Sequence, residues 1–192
     1  MKKVWVTLAA FVLVLVLTFA WGVSTSNRLV DLDESVKEKW AQVENVYQRR
    51  LDLVPNLVNT VKGYARHEAE VLEKVTQARS QVGQVRVNQV EDLRQFEQAQ
   101  SQLTQALSKL MVITERYPEL KADRNFMELQ SQLEGTENRI SVERMRFNEA
   151  SRAYNTYLRH FPESLIASLR GFHEKPYFQS DVAARSAPRV EF

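Results

Sequence analysis

The sequence predicts an all-α protein: an N-terminal transmembrane helix followed by an elongated antiparallel bundle of three to four long helices. Three observations carry that prediction. Gly and Pro number five each among 192 residues, about half the usual share, so helix-breaking residues are scarce. Near the N-terminus, Val4 to Val23 form an almost wholly apolar run. Beyond it, apolar residues recur at steps of three and four, the period of one helix face, and no sheet is predicted. The absence of Cys excludes disulfides, thiolate metal sites and cysteine nucleophiles. With Lys2 and Lys3 set aside, 24 basic residues stand against 24 acidic ones. This neutral balance argues against nucleic acid as a partner, because phosphate binding draws on an excess of Lys and Arg.

The first element is the apolar run. Its only side-chain polarity is Thr7, Thr18 and the indoles of Trp5 and Trp21, and a helix of that length rises about 30 Å, one hydrocarbon thickness. Val4 and Val23 bound the span, and Trp5 and Trp21 stand where the two interfacial aromatic belts belong. A cleaved signal peptide is the rival reading, since Lys2 and Lys3 precede the run and Thr18-Phe19-Ala20 or Gly22-Val23-Ser24 offer small-residue cleavage sites. Against it, the run exceeds the roughly 7–15 residues of a signal core, and cleavage after Ala20 would leave Trp21 as the new terminus. A retained anchor is the expectation, with membrane lipid as a partner. Lys2 and Lys3 are unopposed by acids, whereas Arg28, Lys37 and Lys39 are mixed with Asp31, Asp33, Glu34 and Glu38. The positive-inside bias therefore places the N-terminus in the cytoplasm and the bulk of the chain outside the cytoplasmic membrane, crossed once.

A long stripe follows: Leu29, Leu32, Val36, Trp40, Val43, Tyr47, Arg50, Val54, Leu57, Val61, Tyr64, Glu68, Val71, Val75, Ala78 and Val82, without a phase slip until Gly83. Asn88 with Glu91 resembles a capping box opening a second helix, striped by Leu93, Phe96, Gln100, Leu103, Leu107, Leu110 and Thr114 and broken at Tyr117-Pro118. Asn125 with Glu128 resembles another capping box, before a third stripe of Phe126, Leu129, Leu133, Thr136, Ile140, Phe147, Ala150, Tyr154, Leu158 and Phe161, closed by Pro162. A short helix is expected over Glu163 to Arg170 with Gly171 as its cap. Unbroken, residues 26–82 would run about 85 Å, against about 42 Å for 89–116 and about 55 Å for 124–160. Either the first helix breaks near Pro55 or Gly63 to make a four-helix bundle, or its upper half pairs with other subunits. Leu53-Val54-Pro55-Asn56 carries no glycine and the stripe keeps phase through it, so a kinked continuous helix is favoured. The expected organisation is residues 1–23 as cytoplasmic end and anchor, 24–174 as bundle and 175–192 as an irregular tail.

The polar residues offer little chemistry. A di-iron bundle needs Glu three residues before His on two helices, but Tyr64, Tyr157 and Arg170 precede His67, His160 and His173. His67-Glu68-Ala69-Glu70-Val71 lacks the second histidine of a zinc-protease motif. No glycine-rich phosphate loop or nucleophile elbow occurs, so no catalytic residue, cofactor or metal is assigned. More informative is the cluster of Arg49, Arg50, Asp52, Pro55, Asn56 and Asn59. In a structural reading, Asn56, Asn59 or Asp52 satisfies backbone groups freed by Pro55 while Arg50 finds a carboxylate on a facing helix. In a functional one, the cluster is a recognition surface or sets the register of a homo-oligomer. Glu137, Arg139, Glu143, Arg144, Arg146 and Glu149 are spaced as a solvated ion-pair face. Asn148 and Asn155 suit hydrogen bonds between helices, and the aperiodic tail from Lys175 ends in an apolar stretch that either stays disordered or docks.

Arg49-Arg50-Leu51-Asp52-Leu53-Val54-Pro55-Asn56-Leu57-Val58, followed by Val61-Lys62-Gly63-Tyr64, closely resembles the LemA family of bacterial membrane proteins. Tyr117-Pro118-Glu119-Leu120-Lys121, Glu137-Asn138-Arg139-Ile140, Tyr154-Asn155, Phe161-Pro162 and the closing run from Pro188 to Phe192 agree as well. The resemblance implies a single N-terminal anchor carrying an antiparallel helical bundle with no assigned activity, and hints at membrane organisation. The functional expectation is a non-catalytic scaffold in the bacterial envelope, a homo-oligomer that meets other envelope proteins. The alternative is an adaptor or regulator of a membrane protease or transporter.

Overall fold

The computed structural model describes residues 2–85, 87 and 90–179. Among these the protein is all-helical: α1 (Lys2–Tyr64), α2 (Ala69–Gln84), α3 (Val90–Thr114), α4 (Pro118–Lys121), α5 (Arg124–Arg159) and α6 (Glu163–Arg170). Two compact units are built from them, Met1–Trp40 with Phe147–Lys175 and Ala41–Arg146 with Pro176–Phe192.

In the first unit, α1 opens with the apolar run as one uninterrupted helix whose large side chains face no protein: Trp5 is 73% exposed and Phe19 76%. Thr7 donates to the Val4 carbonyl and Thr18 to those of Val14 and Leu15, so both hydroxyls are satisfied within the helix. Burial begins where the run ends, at Thr25 and then Leu29, Val36 and the half-buried Trp40. Trp40 meets Phe147 of α5 edge to face at 5.5 Å, and Tyr154 of α5 is almost fully buried.

In the second unit, α1 passes through Pro55 without breaking and stops at Tyr64. Of the two break sites considered, Pro55 is passed and the other, beside Gly63, is where the helix ends, so the favoured continuous helix to Val82 is corrected. Ala65 N–H closes onto the Val61 carbonyl and Glu68 N–H onto the Ala65 carbonyl, a short turn that reverses the chain into α2. Its length preserves the step of three and four, so periodicity gives no sign of it. Ala65 is buried and Tyr64, on the expected stripe, is exposed. Glu68, the acid on that stripe, takes Arg116 at 2.8 Å. Leu72, Val75, Ala78 and Val82 of α2 are buried, and all seven expected stripe positions of α3 are buried.

The remaining boundaries follow the sequence with two corrections. The cap of α5 is Asp123 rather than Asn125, because Asp123 Oδ1 accepts the Phe126 N–H at 2.9 Å, the standard bond from an N-cap to the third helical residue. Phe161, expected on the buried stripe, is 81% exposed, because α5 ends at Arg159 and the helical period ends with it. Helix α6 occupies Glu163–Arg170 and Gly171 caps it at φ 72°, a left-handed conformation that glycine adopts without a Cβ clash. The proposed cap at Asn88 and the closing Pro188 to Phe192 lie outside the described residues.

Candidate functional site

Pro55 organises the cluster singled out in the sequence. Proline has no N–H, so the carbonyl four residues earlier, that of Leu51, loses its helical donor. Arg79 of α2 supplies one: its Nε donates to the Leu51 carbonyl at 2.9 Å. The side chains expected to do this do otherwise. Asp52 accepts from Gln48 at 2.7 Å on the exposed face, while Arg49, Asn56 and Asn59 are exposed. The structural reading of the proline holds, with the donor drawn from the neighbouring helix rather than from the cluster.

Arg50 points the other way and is 6% exposed. Its Nη2 donates to Thr104 Oγ1 at 2.8 Å and Nη1 to Gln100 Oε1 at 3.4 Å, both on α3. Glu137 of α5 lies 3.3 Å from Nη2, the facing-helix carboxylate anticipated for it. One turn earlier, Tyr47 packs edge to face on Phe96 of α3 at 4.9 Å, and burial pushes its hydroxyl up to about 12. Leu51, Leu53, Val54 and Leu57 are buried around Arg50, so this stretch of α1 is covered on more than one side. Arg50 thus joins α1, α3 and α5, while Arg79 joins α2 to α1. Charge-assisted hydrogen bonds of this kind are strong and directional, and a guanidinium in so dry a place holds the three helices in one register.

Two further polar clusters fasten the segment after α6. In the first unit, Asn155 Nδ2 donates to the Lys175 carbonyl at 2.9 Å and its Oδ1 accepts the Lys175 N–H at 2.8 Å. The Lys175 ammonium reaches Asp33 at 2.6 Å and lies 5.4 Å from the Tyr154 ring centroid. Burial acts to raise the Asp33 pKa, but Lys175 and Lys37 outweigh it and hold the carboxyl below its ordinary value. In the second unit, Arg144 pairs with Glu97 at 3.1 Å, donates to the Gln179 carbonyl at 2.7 Å and stacks 4.7 Å from the centre of the buried Phe178 ring. The described part of the expected irregular tail, 175–179, therefore has no regular secondary structure but is bonded down. Arg144, expected on a solvated ion-pair face, is a clamp instead.

Sequence reasoning missed Arg79, Asp33, Glu97 and Lys175, which carry no local signal. Gln100 stood on an apolar stripe, and a polar residue there was the available hint. Among the described residues no group of three or more His, Asp or Glu side chains is placed to hold a metal ion. What the clusters offer is positioning of helices and a pinned chain segment.

The comparisons with known proteins place this architecture. The model of the LemA family matches residues 39–192, which contain the Arg50, Arg79 and Arg144 clusters. The chain is 23% identical over 179 residues to magnetosome protein MamQ 2 of Paramagnetospirillum magneticum, an alignment covering 82% of this chain and 65% of that relative. Against magnetosome protein MamQ of Magnetospirillum gryphiswaldense it is 24% identical over 198 residues, covering 92% of this chain and 70% of the relative. Protein LemA of Metamycoplasma hominis is 21% identical over 175 residues, covering 91% of this chain and 78% of that protein. The chain thus spans about two thirds of the length of the magnetosome relatives.

Proposed function

The chain belongs to the LemA family, and from that premise we propose that it is a non-catalytic, membrane-anchored helical scaffold of the bacterial envelope that presents helix surfaces for self-assembly or for other envelope proteins. The observation that carries the reading is the apolar stretch of α1, exposed along its whole length and continuous with packed helix. A helix apolar all round and uncovered by protein belongs in a bilayer. The polar clusters support the non-catalytic part: Arg50, Arg79, Arg144 and Asn155 are engaged in fastening helices and chain. That two relatives are named as magnetosome proteins adds weight to an architectural role. Lys2 and Lys3 set the anchor with its N-terminus in the cytoplasm and the helical bundle outside.

Photo-crosslinking groups placed at the exposed Val112, Met127 and Met145 of the full chain in intact membranes test the proposal, with products identified by mass spectrometry. Self-products or products with envelope proteins are expected. Products with one stoichiometric protease or transporter component, and none with itself, would turn the reading to an adaptor. Turnover of any substrate by the purified chain would end the non-catalytic reading, and protease shaving of intact cells that spares the bundle would reverse the orientation.

A further inference from the structure

Helix α6 is apolar on two sides. Ala167 is buried and Ile166 half-buried on one of them. A Cβ built on Gly22 would lie 3.7 Å from Ile166 Cδ1, so α6 meets α1 at that glycine. On the other side Leu165 is 55% exposed and Leu169 82%, with Phe161 one step of four earlier at 81%. The spacing of four puts Leu165 and Leu169 on a common edge, while Phe161 stands two residues before the helix begins, and nothing described in the chain covers the three.

Where α6 meets α1 identifies what covers that edge. Gly22 is the next-to-last residue of the apolar run, and the groove between the helices is lined by Leu15 and Phe19 of α1 as well as Leu169 of α6. Leu15 lies about 10 Å along the axis from Gly22 at 1.5 Å per residue, well inside the apolar run. Helix α6 therefore straddles the level at which that run ends, and its bare Leu169 shares the groove with Leu15 and Phe19 of that run. Arg170 lies in the last turn of α6 and lines the same groove, and an Arg side chain there has an apolar stem to lay along such a surface and a charged head that favours water or phosphate. Glu163 sits in the first turn, so each charge is at the helix end that favours it.

We infer that α6 is an interfacial helix: the edge formed by Leu165 and Leu169 inserts into the bilayer leaflet beside the end of α1, with Arg170 at the headgroups. The occupant is bilayer lipid rather than a second protein, because the surface that α6 extends is the one the anchor gives to lipid. The inference rests on the anchor reading proposed above. It gives the chain a second, shallower membrane contact, 140 residues and more beyond the first in sequence. The C-terminal end of the helical segment is thereby tied to the same membrane as its start.

The chain contains no Cys, so single nitroxide labels at Leu165→Cys, Leu169→Cys and Phe11→Cys of the full chain report without background. The labelled protein is reconstituted into phosphatidylcholine–phosphatidylglycerol vesicles, and collision rates with oxygen and with a water-soluble nickel chelate are compared. All three positions are exposed, so labelling leaves packing intact, and circular dichroism checks it. Oxygen collisions exceeding nickel collisions severalfold at 165 and 169, by a smaller factor than at 11, is the expected result. Nickel collisions dominating at 165 and 169 while 11 stays in lipid would overturn the interfacial helix alone. Low collision with both reagents at 165 and 169 would overturn it in favour of a protein cover. Nickel access at 11 would overturn the anchor reading and the inference with it.

Discussion

Exchanging Arg79 for Met tests whether a neighbouring helix serves the carbonyl that Pro55 orphans. Met keeps the apolar stem that half-buries Arg79 but removes the Nε donor held 2.9 Å from the Leu51 carbonyl. A hydrogen bond from a charged donor contributes about 1.5–3 kcal/mol, and a carbonyl left dry and unpaired costs about 1–3 kcal/mol. Because this site is only part-buried, the expected loss is about 2 kcal/mol, well below the top of both ranges. The decisive comparison is the same change in a Pro55→Ala background. Alanine restores the N–H of residue 55, which donates to the Leu51 carbonyl as in any helix, so Arg79→Met should then cost about 0.5 kcal/mol or less. The coupling of about 1.5 kcal/mol is well above the scatter of independent sites. It is read from urea unfolding of the four variants in one detergent, followed by far-ultraviolet circular dichroism. Equal losses in both backgrounds would refute the assignment, because Arg79 would then act through packing or charge unrelated to the proline.

Arg50→Leu should destabilise the protein by about 1–3 kcal/mol, since it leaves the buried Gln100 Oε1 without its donor, while the exposed Thr104 and Glu137 turn to water. Arg50→Lys should recover less than half of that in the same unfolding assay, because one ammonium cannot replace a fork. Asp33 has a folded pKa below its unfolded one, so its contribution is present above about pH 3.9 and lost as pH falls below that value through the folded pKa. Asp33→Asn should therefore flatten the acid limb of stability below about pH 3.9. An unchanged limb would show that Lys175 and Lys37 do not act through this carboxylate. Asn155→Ala removes both bonds to the Lys175 backbone and should speed proteolysis within residues 172–179 about tenfold, a factor that corresponds to about 1.4 kcal/mol of local opening. No change in cleavage rate would mean that the segment is held by Phe178 and Arg144 alone.

Some of this protein was legible residue by residue. The apolar run, the α3 stripe, the break at Tyr117-Pro118 and the α6 span with its Gly171 cap were all visible. These are local matters: a side chain every 100° around an axis, a left-handed residue that only glycine takes easily, and a length matched to a bilayer. Within the Arg49 to Asn59 cluster, Arg50 found the facing carboxylate expected of it, whereas Asp52, Asn56 and Asn59 do not serve the carbonyl freed by Pro55. The donor for Pro55 was not foreseen, because Arg79 follows the stripe residue Ala78 and looks like any exposed basic residue until α2 turns back along α1. The turn at 65–68 was hidden for a related reason, since a reversal that keeps the step of three and four leaves the pattern intact.

Taken by itself, the sequence determined that the chain is helical, that its first helix opens with an apolar run about as long as a bilayer is thick and that it belongs to the LemA family. Those properties follow from composition, period and a contiguous motif, which depend on neighbours along the chain. Only the tertiary structure decided where α1 ends, that Arg79 serves the Leu51 carbonyl and that Asn155 and Arg144 pin residues 175–179. It also decided that α6 lies against Gly22 with Leu165 and Leu169 bare. Each of these depends on residues tens of positions apart meeting within hydrogen-bond or van der Waals distance. Such meetings are fixed by how helices pack, which no local period encodes.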